Sequence, residues 1–254
     1  MTKFSANLGF LWADRPLPDA IRAAKAAGFD AVECHWPYET PPSEVKAALD
    51  ETGLPMLGLN TWRGDVAAGD NGLSAIPGRE EEALAAISEA IDYAETIGAL
   101  AVHVMAGKAE GHEAHDLFVR NLKTATSLSE SKGITILIEP LNRFDAPGYF
   151  LKDTHQARSI IEEVAVPNLK LMFDCYHVGR TEGDVIARLK DLQPIVGHIQ
   201  FAAVPNRGAP DHGEIDYRTV LPAIEALGWD SPLGAEYKPQ GDTEASLGWI
   251  SALR

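Results

Sequence analysis

Cysteine is scarce. Cys34 and Cys175 are the only two in 254 residues, too few for a disulfide framework and in keeping with a reducing compartment. No apolar run approaches the roughly 20 residues of a membrane span. The start, "MTKFSANLGF", lacks a basic stretch followed by a long apolar segment. Positive charge is also short: 22 basic residues face 37 acidic ones, a net charge of −15. A field of that sign disfavours nucleic acid and anionic membranes as partners, and an anionic substrate would need a local cationic site. No Gly-x-Gly-x-x-Gly turn follows the first apolar stretch, which weakens a dinucleotide-binding assignment. The composition, 45% hydrophobic and 23% charged, is that of an ordinary soluble globular chain. No linker, low-complexity tract or charge block divides it, so a single domain over 1–254 in the cytoplasm is expected.

What the chain does have is alternation. Short apolar stretches fall near residues 4–10, 29–34, 54–60, 100–104, 134–139, 169–174, 195–200 and 232–236. Ala- and Glu-rich segments with helical spacing lie between them, such as "EEEALAAISEAIDYAETIG". Gly28, Gly98, Gly133 and Gly228 stand where helices are expected to stop. The strands are apolar with little alternation, as when both faces of a parallel sheet are covered. About eight strand–helix units predict an α/β fold, a closed (β/α)8 TIM barrel, with an open doubly wound sheet as the alternative. Two connections are unusually long, 61–79 after the third strand and 201–217 after the seventh. Both fall on the side where such barrels carry their active sites.

Four consecutive strands end in an oxygen-bearing side chain: "ILIE" in Glu139, "LMFD" in Asp174, "HIQ" in Gln200 and "GAE" in Glu236. A buried unpaired carboxylate is costly, and three close together repel one another unless a cation neutralises them. In a barrel these strand ends converge. An all-oxygen set then favours a divalent metal, Mg or Mn, over Zn. Gly234, two residues before Glu236, leaves room on the same face. His198, two before Gln200, either supports that ligand or is a hydrogen-bonded core histidine. His177 lies above the sixth strand within reach of a substrate oxygen. Arg207 and Lys238 either add the positive charge an anionic substrate needs or remain solvated surface. His103 is a candidate pocket-wall residue, whereas His112 and His115 read as surface and Cys175 as a packing residue. Trp12, Trp36 and Trp62 lie near strand ends, as pocket wall or rim.

"ILIEPLNRFDAPGYFL", "LMFDCYH", "GHIQFAAVPNRGAPDHGEIDY" and "GAEYKP" resemble the hydroxypyruvate isomerase family and its 2-oxotetronate isomerase relatives, members of the xylose-isomerase-like TIM-barrel superfamily. The likeness runs nearly end to end. It implies a Mg or Mn ion on Glu139, Asp174, Gln200 and Glu236, with Glu139 and Glu236 as the proton-transfer pair. His177 and Arg207 match positions that bind substrate oxygens. The implied reaction is a 1,2-carbonyl shift between hydroxypyruvate and tartronate semialdehyde, through an enediolate stabilised by the metal. The substrate would be a small anionic hydroxy-oxo acid, and apolar residues on the barrel rim are compatible with a homo-oligomer. The departures are local: Trp62 and Arg63 in "LNTWRGD", and Cys34 and His35 in "VECHWPYE". They bear on substrate identity and length rather than on the chemistry. Rivals are a ketose 3-epimerase or inosose dehydratase on the same site, a metal-dependent abasic-site nuclease, which the negative charge disfavours, and a non-catalytic sugar-acid-binding barrel.

Overall fold

Burial on both faces makes strands of the short apolar runs. In the computed structural model, which describes residues 2–254, they are β1 (Phe4–Asn7), β2 (Ala31–Glu33), β3 (Leu59–Asn60), β4 (Ala101–His103), β5 (Thr135–Ile138), β6 (Leu169–Asp174), β7 (Val196–Phe201) and β8 (Leu233–Ala235). Every pairing between them is parallel, in the order β2-β1-β8-β7-β6-β5-β4-β3. The two ends of that order meet. Val32 bridges Met56 in parallel, and Cys34 N–H donates to Gly58 O at 3.1 Å, so β2 joins the chain just before β3. The sheet is a (β/α)8 barrel, and the open-sheet alternative is set aside.

The third strand is shorter than its apolar run. Only Leu59 and Asn60 form regular ladder with β4, because Pro55 has no N–H to donate and Gly58 adds no side chain to pack.

Helices cover the outside: α1 (Leu17–Ala26), α2 (Pro42–Thr52), α3 (Glu80–Ile97), α4 (Gly111–Glu130), α5 (Thr154–Val164), α6 (Cys175–Thr181), α7 (Val185–Leu192), α8 (Tyr217–Ala226) and α9 (Trp249–Leu253). The Ala-rich face of α3 buries Ile87 and Ile91 among Ala83, Ala86, Ala90 and Ala94, and the alanines let the helix lie close to the sheet. Gly98 ends it at φ 76°, the left-handed conformation that glycine enters without a Cβ penalty. Asp153 caps α5 by accepting from Gln156 N–H at 2.8 Å. Among the described residues no helix is long and apolar enough to cross a membrane.

Two apolar layers result. The large one lies between strands and helices, with Phe4, Phe201 and Trp249 in mutual aromatic contact. A small one, Ala101, Leu137 and Met172, fills the barrel interior. Above it the inward positions turn polar: His103, Glu139, Asp174, Gln200 and Glu236 each stand two residues beyond an inward neighbour, following the strand period of two. The long connection 61–79 is tied down rather than loose. Arg79 donates to Asp70 at 2.6 Å, and Gly72 bridges Ala106 so closely that a Cβ there would lie 2.7 Å from Gly107 N.

Of the tryptophans expected near the site, Trp12 is core, Trp36 is half-buried and Trp62 lies exposed.

Candidate active site

Glu139 and Glu236 directly follow β5 and β8, Asp174 ends β6, and Gln200 lies within β7. All four members of the expected quartet are buried at the mouth of the barrel. Each member meets a different environment.

Glu236 is the best-paired. Its Oε1 accepts from Asn7 Nδ2 at 3.2 Å and faces His35 Nε2 at 2.8 Å, and its Oε2 is clamped by Arg207. Burial opposes its ionisation, but Arg207 and His35 outweigh burial and hold its pKa below the usual carboxylate range. Glu139 has the opposite setting. Its Oε1 is buried without a hydrogen-bond partner among the described residues. Burial, with Glu236 and Asp174 nearby, pushes its pKa well up. Asp174 is intermediate. Its Oδ1 accepts from Tyr176 N–H at 2.8 Å and its Oδ2 lies 3.5 Å from Arg207. Burial raises its pKa to about 7 against the pull of Arg207. Two glutamates on one site with pKa values driven apart is a common arrangement for proton transfer.

Arg207 reaches both Glu236 and Asp174, and its guanidinium sits 5.0 Å above the rings of both Phe10 and Tyr176. Its backbone is held at φ 55°, a costly conformation for a non-glycine residue that the surrounding loop maintains. Lys238, by contrast, is exposed.

His177 is positioned by Asn142, whose backbone N–H donates to Nδ1 at 2.9 Å. With Nδ1 committed as an acceptor, the neutral ring carries its proton on Nε2. Burial holds the pKa near 3, so the ring is neutral. That Nε2–H lies 3.6 Å from Asp174 Oδ2 and 3.8 Å from Glu139 Oε1, with no partner of its own among the described residues. His103 walls the same space, its Nδ1 3.7 Å from Glu139 Oε2, and burial lowers its pKa to about 4. His198 does not bond Gln200 directly; its Nε2 lies 2.8 Å from Glu33 Oε2. His112 is exposed, His115 pairs at the surface with Glu163, and Cys175 is buried packing.

Glu33 was missing from the expected set. It is buried on β2 and bonded to Asn7, His198 and Gln200. The signal was present: "DAVE" closes the second apolar stretch with an acid, as the later strands do. His35, two residues on, is one of the departures from the family pattern, and its bond to Glu236 crosses 201 residues.

Atoms of Glu139, Asp174 and His177 lie within 4.8 Å of one another, close enough to hold a metal ion. The chemistry favours the oxygens. Glu139 Oε1 and Gln200 Oε1 are buried acceptors with no donor among the described residues, and a cation would satisfy them. The histidine nitrogen facing the cluster carries a proton and is therefore a donor rather than a ligand. The donor set accordingly fits a hard divalent ion.

The family model of xylose isomerase-like TIM barrels matches residues 21–253. A 2-oxo-tetronate isomerase of Cupriavidus necator is 42% identical over 254 residues, 98% of this chain and 98% of that protein. The hydroxypyruvate isomerase of Escherichia coli is 37% identical over 258 residues, covering 100% of both. A solved structure from Brucella melitensis, described as an AP endonuclease of family 2, superimposes with TM-score 0.95 at 33% identity, covering 100% of both chains. A D-psicose 3-epimerase from Clostridium cellulolyticum, at 16% identity and TM-score 0.78 over 97% of this chain and 89% of its own, shares the fold. The chain belongs to the xylose isomerase-like TIM-barrel family, in the branch of the hydroxypyruvate and 2-oxo-tetronate isomerases.

Proposed function

We propose that this isomerase interconverts hydroxypyruvate and tartronate semialdehyde with a divalent ion, Mg or Mn, held by Glu139, Asp174, Gln200 and Glu236. The observation that carries it is the pair of unpartnered buried oxygens, Glu139 Oε1 and Gln200 Oε1, beside two further carboxylates. When bound, the ion supplies Lewis-acid polarisation of the substrate carbonyl and its neighbouring hydroxyl.

The chain's own groups do the rest. Glu139 and Glu236 take the proton from the hydroxyl-bearing carbon and return it to its neighbour, while the hydroxyl proton passes to the former carbonyl oxygen. With Oε1 given to the ion, Glu139 has Oε2, 3.7 Å from His103 Nδ1, for this, while His35, Asn7 and Arg207 hold Glu236 in place. His177 Nε2–H donates to a substrate oxygen, since Nδ1 is occupied by Asn142. The depth of the site excludes water and strengthens each of these contacts.

Two cations suit an anionic substrate. Arg207 stands at the cluster itself. Arg63 lies half-buried, its guanidinium 3.8 Å over Trp36, whose ring lies tilted against His35 at 4.9 Å. Burial lowers the Arg63 pKa, and no carboxylate among the described residues brings it back up. An acid of this charge in a protein of net −15 needs such a group. A 2-oxo-tetronate substrate is the second reading, favoured by the 42% identity to an enzyme of that name. We place the protein in the cytoplasm, where its two buried free thiols would stay reduced.

The test is a substrate panel with Mg- and Mn-loaded protein: hydroxypyruvate, 2-oxotetronate and ketohexoses, followed by NMR. Turnover of a hydroxy-oxo acid is expected. Turnover of ketohexoses alone would make it an epimerase, and none at all, with metal bound, would make it a binding barrel.

A further inference from the structure

We propose that Glu33 is a positioning residue that fixes the Gln200 side-chain amide with its oxygen presented as a metal ligand. The inference rests on the metal site proposed above and extends it to a residue that would not itself touch the ion.

Glu33 has no free oxygen among its buried contacts. Oε1 accepts from Gln200 Nε2 at 2.8 Å and from Asn7 Nδ2 at 3.1 Å, and Oε2 meets His198 Nε2 at 2.8 Å. A carboxylate held by three donors is anchored. Its consequence falls on Gln200. The two ends of an amide are chemically opposite, an NH2 donor and a carbonyl acceptor. Facing a carboxylate, the NH2 end is attracted, whereas the flipped amide would set two oxygens against each other. Glu33 therefore decides which end of Gln200 is left over. The remainder is Oε1, a buried acceptor with no partner among the described residues.

The surrounding residues keep this arrangement in place. Asn7 spans Glu33 Oε1 and Glu236 Oε1 with a single NH2 group, tying the support to the other side of the quartet. Gly234 reserves the space: a Cβ there would lie 2.6 Å from both carboxylate oxygens of Glu33 and 2.8 Å from Gln200 Cγ. Ligand orientation by an outer hydrogen-bond partner is worth about ten- to hundredfold in metal affinity.

The experiment is a double-mutant cycle on the full chain, read as Mn2+ affinity by calorimetry. Glu33→Met removes every acceptor at similar length and should weaken Mn2+ binding by about ten- to hundredfold. In a Gln200→Ala background the same substitution should change the affinity less than about threefold, because its target is gone. Glu33→Gln removes the charge but keeps an acceptor for Gln200, and should bind closer to the unmodified chain than Glu33→Met does. Equal losses with and without Gln200, or equal losses for the Met and Gln variants, would overturn the proposal in favour of a long-range charge effect. Should Glu33→Met not fold, the unmodified protein carries the test. The Gln200 NH2 resonances should stay protected from exchange as Mg2+ is added, and loss of that protection would overturn it. Mn2+ binding that fails in the unmodified protein would remove the metal site itself, whereas binding that is unchanged in Glu33→Met removes only the role of Glu33.

Discussion

Arg207 and Glu236 form a buried ion pair at the mouth of the barrel, and the same guanidinium lies 3.5 Å from Asp174. One fixed cation thus stands against several buried acids. Truncating one member of such a pair leaves the other charged and desolvated, typically at about 3–5 kcal/mol. R207M should therefore lower the melting temperature of the metal-free protein substantially. Added Mg2+ or Mn2+ should restore much of it, because a divalent ion would neutralise the same carboxylates. Melting curves with and without metal check this; an equal loss in both would show that Arg207 serves packing alone.

Glu139→Gln and Glu236→Gln should each reduce kcat by about 10²–10⁴ while the circular dichroism spectrum stays that of the parent. The two will differ in stability. E139Q removes a carboxylate that burial and neighbouring acids oppose, so it should melt no lower than the parent when metal-free. E236Q removes the partner of Arg207 and His35 and should melt lower. Near-normal turnover in either variant would exclude that glutamate from proton transfer.

Arg63 stacks on Trp36, and no acid among the described residues pairs with it. R63M should raise KM for a hydroxy-oxo acid about tenfold or more, the value of one charge-assisted hydrogen bond, with kcat and Mn2+ affinity little changed. Steady-state kinetics beside a metal titration separate the two effects. A fall in kcat at constant KM would place Arg63 away from ground-state binding.

Gly234 abuts both oxygens of Glu33. A methyl group in G234A has nowhere to go, since Glu33 is held by three donors, and overpacking of this kind costs about 1–3 kcal/mol. Thermal denaturation should show that loss, and calorimetry should show weaker Mn2+ binding in the same variant. Unchanged melting would mean that the strand shifts to make room.

Much of the barrel was legible in the chain because strand period and helix spacing are local properties. The eight apolar runs became the eight strands, with the third cut short by Pro55 and Gly58. The loop 61–79 falls between β3 and α3 as expected, and of the stretch 201–217 the residues 202–216 connect β7 to α8, its ends belonging to those elements. The strand-terminal oxygens converge because a closed barrel leaves them nowhere else to point. The role of Glu33 was not legible because its bonds to His198 and Gln200 cross 165 and 167 residues.

The sequence by itself determined the repeating architecture, the polar ends of the inward-facing strands and the family likeness, all carried by residues close together along the chain. Only the tertiary structure decided which polar atoms meet. His35 finds Glu236 across 201 residues, and Glu33 finds Gln200 across 167. Those contacts exist only once β1 lies between β2 and β8 in the ring. Hydrogen bonds are fixed by ångströms and angles, and closure of the barrel is what sets those distances.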